Sequence, residues 1–251
     1  GENRLAVQLE NRPQSSRWYP GAGLFRKVRL LTLPQAHVPV WGTQVLTPYV
    51  GSDYASVMLR TRIEGLEEGS SVRLETTIRD AAGQAVAAKN DTRQLNHGMP
   101  AEQHFTVMRP QCWSPETPVL YTAESYLYVG DRLVDSCVTR FGIRTVELRA
   151  DRGFFLNGER RKFRGVCLHH DLGPLGAAVN RAAIRRQLTL LREMGCDAIR
   201  TSHNMPAEEL VELCDEMGFM LMVEPFDEWE VAKCENGYHR FFDEWAERDM
   251  V

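Results

Sequence analysis

Along the first half of the chain, hydrophobic and polar side chains alternate with a period of two. In SVMLRTRI, Val57, Leu59 and Ile63 share one face, and Ser56, Met58, Arg60 and Arg62 the other. SVRLETTI repeats the arrangement, with Val72, Leu74 and Ile78 opposed to Arg73, Glu75 and Thr77. HFTV, YTAESYLYV and SCVTRFGI continue it, and the turn-forming stretches EGLEEGS, DAAGQ, NHGMP and VGDR separate the runs. Successive side chains of a strand point to opposite faces, so each run predicts a half-buried strand. Several such strands between turns predict an antiparallel β-sandwich over 35–142, of immunoglobulin-like size. No Cys…Trp…Cys core spacing accompanies it, which leaves the strand topology open. Upstream, RLAVQLEN and FRKVRLLTL predict two more strands within 1–34, joined by RPQSSRWYPGAGL. Two strands bury no core of their own, so these are expected to complete a sheet that the chain mostly lacks.

After residue 150 the period becomes helical. RAAIRRQLTLLREM places Ile184, Leu188, Leu191 and the nearby Leu190 and Met194 on one side, with arginines opposite; Asn180 suits the N-cap and Gly195 the C′ position. PAEELVELCDEM predicts a second helix, with Pro206 at N1, acids in its first turn and Gly218 closing it. Between them lie the apolar stretches FRGVCL (163–168), DAIRT (197–201) and FMLMVE (219–224). This order predicts a parallel βαβαβ array. A doubly wound sheet and a (β/α)8 barrel both begin this way. No GxGxxG or Walker-type glycine loop follows the first strand, which argues against a nucleotide fold.

Composition narrows this little further. The 251 residues are 43% hydrophobic and 25% charged, the balance of a globular protein, and a net charge of -4 gives no reason to expect nucleic acid or an anionic membrane as partner. No apolar run reaches membrane-spanning length, and the first residues show neither a basic start nor an apolar signal segment. Cys112, Cys137, Cys167, Cys196, Cys214 and Cys234 form no CxxC pair and match no zinc spacing, so they are read as reduced thiols. The compartment, whether cytoplasm, periplasm or exterior, stays open.

The chemistry concentrates at the strand ends. In parallel α/β proteins ligands bind beyond the carboxyl ends of the strands. The first such strand ends in Leu168, His169, His170 and Asp171; the second in Arg200, Thr201, Ser202, His203 and Asn204; the third in Glu224, Pro225, Phe226, Asp227, Glu228 and Trp229. Imidazoles, a guanidinium, carboxylates and an indole on one rim suit a hydroxyl-rich ligand such as a sugar. A histidine at a strand end serves equally well as a structural hydrogen-bond partner; two on adjacent strands point toward a pocket. A metal held by His169, His203 and a carboxylate has no HExxH-like spacing behind it. Glu224 and Asp227 come from one short segment, whereas carboxylates opposed across a sugar come from separate strands, so they are not read as an acid pair. Trp229 is either core or a sugar platform, and the arginines of 181–192 form a solvated helix face.

The stretches SSRWYPGAGLFRKVRL, WSPETPVLY, FGIRTVE, FLNGERRKFRGVCLHHD, LLREMGCDAIRTSHNMP, LCDEMGF and EPFDEW, in this order, resemble glycoside hydrolase family 2, and the β-galactosidases most. The resemblance implies a jelly-roll sugar-binding domain, an immunoglobulin-like sandwich and a (β/α)8 barrel. Residues 1–34 would be the last jelly-roll strands, 35–142 the sandwich and 143–251 the opening of the barrel. It implies a retaining exo-β-glycosidase in which His169 contacts sugar hydroxyls, His203 helps stabilise the transition state and Arg200 steadies the nucleophile's charge. Asn204 and Glu224 join them as substrate-binding candidates, and His170, Asp171, Asp227 and Trp229 are further ones. Cys167 and Leu168 replace the family's more usual Asn and basic residue. The family's magnesium ligands are not clearly matched by EPFDEWE, so no cofactor is expected of this stretch. Both catalytic glutamates are expected downstream of Val251, and the 251-residue chain is expected to be an inactive fragment, able to self-associate through an open barrel edge. The competing readings are a carbohydrate-binding or interaction module in which the sandwich is the functional part, and a small α/β enzyme unrelated to sugars.

Overall fold

The computed structural model describes residues 2–17, 23–96 and 98–250. Residues 18–22 of the predicted RPQSSRWYPGAGL link and residue 97 of the NHGMP turn lie outside the described residues. The chain divides into two compact units, one of Leu30–Lys162 with Asp215–Gly218, the other of Gly1–Arg29, Phe163–Cys214 and Phe219–Val251.

In the first unit the alternating runs form seven antiparallel strands: β1 (Thr43–Val50), β2 (Tyr54–Thr61), β3 (Ser71–Arg79), β4 (Ala85–Gln94), β5 (Ala101–Met108), β6 (Tyr121–Val129) and β7 (Arg132–Phe141). They make two sheets, in the orders β1-β2-β5 and β4-β3-β6-β7. Their inward faces build the core, in which Val57, Leu59, Leu74, Ile78 and Ile143 are fully buried. Thr76 is buried among these apolar residues. Its hydroxyl donates to Gln103 Oε1 on β5 at 2.7 Å and accepts from Ser125 on β6 at 2.9 Å, while Gln103 Nε2 donates to the Leu74 carbonyl at 3.1 Å. These bonds offset the cost of burying three polar side chains.

Strands β8 (Val146–Arg149), β9 (Gly153–Leu156) and β10 (Glu159–Arg160) form a small antiparallel sheet in the same unit. Asn157 and Gly158 make the two-residue turn between β9 and β10, both with positive φ (52° and 79°). That is the backbone an Asn-Gly hairpin turn supplies with least strain. Asn157 also accepts from the Thr145 N–H and donates to the Trp113 carbonyl, both at 3.0 Å.

The second unit holds the predicted βαβαβ array: β11 (Gly165–Leu168), α1 (Arg181–Glu193), β12 (Ala198–Thr201), α2 (Glu208–Met217, whose last residues fall in the first unit) and β13 (Met220–Val223), followed by α3 (Phe242–Met250). Strands β11, β12 and β13 pair in parallel in that order. At Gly165 the first two leave no room for a side chain: a Cβ there would lie 2.1 Å from the Ala198 carbonyl oxygen. Asn180 caps α1 by accepting from the Ala183 N–H at 3.0 Å, and Gly195 and Gly218 follow α1 and α2 with positive φ. Ile184 and Leu188 are buried as expected, but Leu190 and Met194 are exposed. They lie off the narrow stripe that the 3.6-residue period traces through 184, 188 and 191.

Among the described residues no strand precedes Thr43, so RLAVQLEN and FRKVRLLTL pair with no strand here; the sheet they are expected to complete is one the chain mostly lacks. A strand exists through a ladder of hydrogen bonds to a neighbour, and the Val179 N–H donating to the Phe25 carbonyl at 3.3 Å does not make one. The alternation survives as an uncovered apolar row, with Leu5 87% and Leu30 95% exposed. The segment is fastened instead by side chains: Lys27 pairs with Glu209 at 3.1 Å and Arg29 with Glu208 at 3.2 Å.

Candidate functional site

The parallel register carries Cys167 beside Arg200 and Arg200 beside Met222, so the three strands end level and their following residues emerge together. Four of the predicted site residues meet there. Arg200 forms an ion pair with Glu224. His203 Nε2 lies 3.5 Å from Glu224 Oε1 and 3.5 Å from Arg200 Nη2. The rings of His169 and His203 meet edge-on, with centroids 5.8 Å apart and planes at 65°. Arg200 is aimed from below as well: Nη1 donates to Ser202 Oγ at 2.8 Å and to Cys167 Sγ at 3.3 Å. These contacts draw the exposed Cys167 thiol below its usual pKa, the Ser202 hydrogen bond first and the Arg200 guanidinium next.

Asp227, one of the further candidates, completes the group from the other side of the imidazole. Its Oδ1 lies 3.6 Å from His203 Nδ1. Its carboxyl sits below the usual range, chiefly because Arg17 hydrogen-bonds it and despite its partial burial. His203 thus stands between two carboxylates, one at each ring nitrogen.

The remaining candidates lie elsewhere. His170, in the left-handed region at φ 57°, puts its ring edge-on to Phe25 at 5.2 Å. With Leu168, Thr201 and Asn204 it lines a small cavity of about 30 Å³, and burial, followed by Arg26, lowers its pKa. Asp171 caps its own loop, accepting from the Gly173 N–H at 2.6 Å. Trp229 packs against Phe226 and Phe242, at 5.7 and 5.5 Å between centroids, leaving 48% of its surface exposed.

Glu228 was not singled out by its sequence context, yet it organises the third loop. Buried, it accepts from the backbone N–H groups of Lys233, Cys234 (3.0 Å) and His239 (3.4 Å), and its Oε2 lies 3.2 Å from His239 Nδ1. Burial alone would raise its pKa; the N–H donors outweigh it and hold the carboxyl at about 2. Arg17 was missed as well. Its guanidinium forks onto Asp227, Nη2 to Oδ1 at 2.5 Å and Nε to Oδ2 at 3.2 Å. No sequence signal links residues so far apart.

The ends of three parallel strands and the residues after them thus gather imidazoles, a guanidinium and carboxylates. The chain belongs to glycoside hydrolase family 2. Residues 40–144 match the profile described as Glycosyl hydrolases family 2, and residues 146–244 the family's TIM barrel domain. The chain is 44% identical to Beta-galactosidase BoGH2A of Bacteroides ovatus over 99% of its own length and 30% of that protein. It is 34% identical to a Putative beta-glucuronidase of Formosa agariphila, covering 100% of this chain and 24% of that one. The crystal structure of a glycosyl hydrolase family 2 member from Bacteroides cellulosilyticus superposes with a TM-score of 0.86 at 33% identity, over 94% of this chain and 31% of that one. The chain therefore spans under a third of the length of these relatives.

Proposed function

We propose that the chain is the part of a retaining exo-β-glycosidase that carries one wall of the sugar pocket, and that the whole enzyme acts on terminal β-galactosides. The observation that carries this reading is His203, flanked by Glu224 and Asp227 at its two ring nitrogens, with Arg200 and His169 alongside at the ends of three parallel strands. An imidazole so flanked is biased toward one orientation in which to meet a sugar hydroxyl. Such a contact counts most when it tightens as the oxocarbenium-like transition state forms. A galactoside is favoured over a glucuronide by the charge pattern as well as by the name of the 44%-identical relative. Arg200 and Arg17 each already face a carboxylate, Glu224 and Asp227, so neither offers an uncompensated positive charge to a uronate.

The same commitments bear on metal and catalysis. Glu224 is paired with Arg200, Asp227 with Arg17, and Glu228 is wrapped in N–H donors, so this donor set does not fit a divalent cation and no step is routed through one. A retaining mechanism needs an acid and a nucleophilic carboxylate about 5 Å apart across the sugar. Glu224 and Asp227 instead flank one imidazole from a single loop, and neither takes either role.

The test has two parts. The purified chain, incubated with aryl β-galactosides, β-glucuronides and β-mannosides, gives no turnover; robust hydrolysis abolished by Glu224→Gln would overturn the reading. In the full-length enzyme, His203→Ala lowers kcat by about a hundredfold and changes KM much less. A loss carried by KM alone would demote His203 to ground-state binding.

A further inference from the structure

The imidazole of His203 is flanked by two carboxylates, and each carboxylate is paired with its own arginine. On the Nε2 side stand Glu224 and Arg200. On the Nδ1 side stand Asp227 and Arg17, in a two-point fork of 2.5 and 3.2 Å. The second arm reaches the loop from the opposite end of the chain. Resting on the glycosidase reading, we propose that Arg17 is a positioning residue: through Asp227 it sets the orientation of His203, as the counterpart of Arg200.

Three features support this. First, Asp227 Oδ1 is a shared hub, 2.5 Å from Arg17 Nη2, 3.6 Å from His203 Nδ1 and 3.7 Å from Lys233 Nζ. At 3.6 Å the carboxylate acts on the ring through charge more than through a hydrogen bond, so its placement controls the field the ring feels. Lys233 Nζ donates to the Asp227 backbone carbonyl and faces one carboxylate oxygen, whereas Arg17, among the described residues, grips both oxygens and so fixes the plane of the carboxylate. Second, the segment that carries Arg17 is tied to the same loop at another place. Asn236 donates its backbone N–H to the Gln14 carbonyl and its side-chain amide to the Pro13 carbonyl, both at 3.0 Å. The loop and the Arg17 segment thus form one framework, rather than meeting by a lone surface ion pair. Third, the contact between Asp227 and His203 is shielded, with side chains only 19% and 13% exposed, while Arg17 keeps 46% of its side chain exposed. A charge contact between two such shielded groups is screened less than one on an open surface.

The experiment reads the imidazole directly. In the ¹⁵N-labelled 251-residue chain, the ring signals of His203 are assigned by their loss in His203→Gln. Arg17→Gln should shift those signals more than the ring signals of any other histidine, and Arg17→Lys, which keeps the charge but loses the fork, should shift them less. Arg152→Gln, in the other unit, should leave them in place. Coincident His203 signals in wild type and Arg17→Gln overturn the proposal. In the full-length enzyme, Arg17→Gln should lower kcat about tenfold with KM within about twofold, and should add nothing in an Asp227→Asn background. A change confined to KM, or an undiminished loss in the Asp227→Asn background, would instead make Arg17 a direct sugar contact or a scaffold residue, and overturns the proposal. A full-length enzyme that hydrolyses no glycoside sinks the functional reading; the imidazole signals then decide the role of Arg17 alone.

Discussion

The β-sandwich and the parallel α/β array use their hydrophobic residues differently. In the sandwich the inward rows of β2 and β3 meet other strands of the same unit, and Val57, Leu59, Leu74 and Ile78 are all 0% exposed. In the array only the central strand is sealed: Ala198, Ile199 and Thr201 of β12 are buried, while β13 leaves Met222 53% exposed. Strands of a parallel sheet are ordinarily covered on both faces. The lesson is that the sandwich draws its stability from an internal core. The array depends more on local devices, namely helix caps, anchored loops and ion pairs, and it also carries the proposed site.

The sharpest way to break that comparison is to remove one core side chain from each region. Leu59→Ala should lower the stability of the sandwich by about 2–5 kcal/mol, because a fully buried leucine leaves a cavity that its neighbours fill only in part. Met222→Ala, at a half-exposed position, should cost the array less than about 0.5 kcal/mol. Urea unfolding followed by hydrogen exchange region by region separates the two. Equal losses would show that the array has a sealed core after all.

A smaller effect concerns acid stability, where the array should lose its third loop before the sandwich yields. Glu228 ionises at about 2 when folded, against 4.5 for the free side chain. A folded pKa below the unfolded one means stability that is fully present above about pH 4.5 and drains away as the pH falls toward 2. Exchange of the amides of Lys233 and Cys234, which donate to this carboxylate, should accelerate across that window. In Glu228→Gln those amides should already exchange fast at neutral pH, with little further change on acidification. Protection in the variant equal to wild type at pH 7 would count against the anchor.

How much of this was legible in the sequence follows from the range of the forces involved. Period two at Val57, Leu59, Val72 and Leu74 marked the buried rows because burial is a property each residue shows by itself. The strand-end cluster was legible because parallel topology alone brings those ends together, and His169, Arg200, His203 and Glu224 do meet. Features that depend on a distant partner stayed hidden. Thr76, Gln103 and Ser125 are polar residues of three different strands, and only pairing makes them a buried network. Arg17 likewise gains meaning only beside Asp227. The two predicted strands before residue 34 are the converse case: their alternation is intact, but no ladder forms among the described residues.

The smallest expected effect tests the claim that the array leans on local devices. Asn180 sits at the start of α1 in extended conformation (φ -132°, ψ 112°), so its side-chain oxygen can turn back to the Ala183 N–H while its carbonyl accepts from Ile184 at 3.0 Å. The helix has no acidic residue in its own first turn to complement the positive end of its dipole. Asn180→Ala should therefore cost about 1 kcal/mol. Asn180→Asp keeps the acceptor and adds a negative charge at that end, so it should match wild type or exceed it by a few tenths of a kcal/mol. Exchange of the amides of residues 181–184 in the three proteins reads the helix start directly, apart from any change in the sandwich. If Asn180→Ala leaves those amides as protected as in wild type, tertiary packing rather than the cap holds α1 in place. The contrast between the two regions would then narrow to the open faces of their strands.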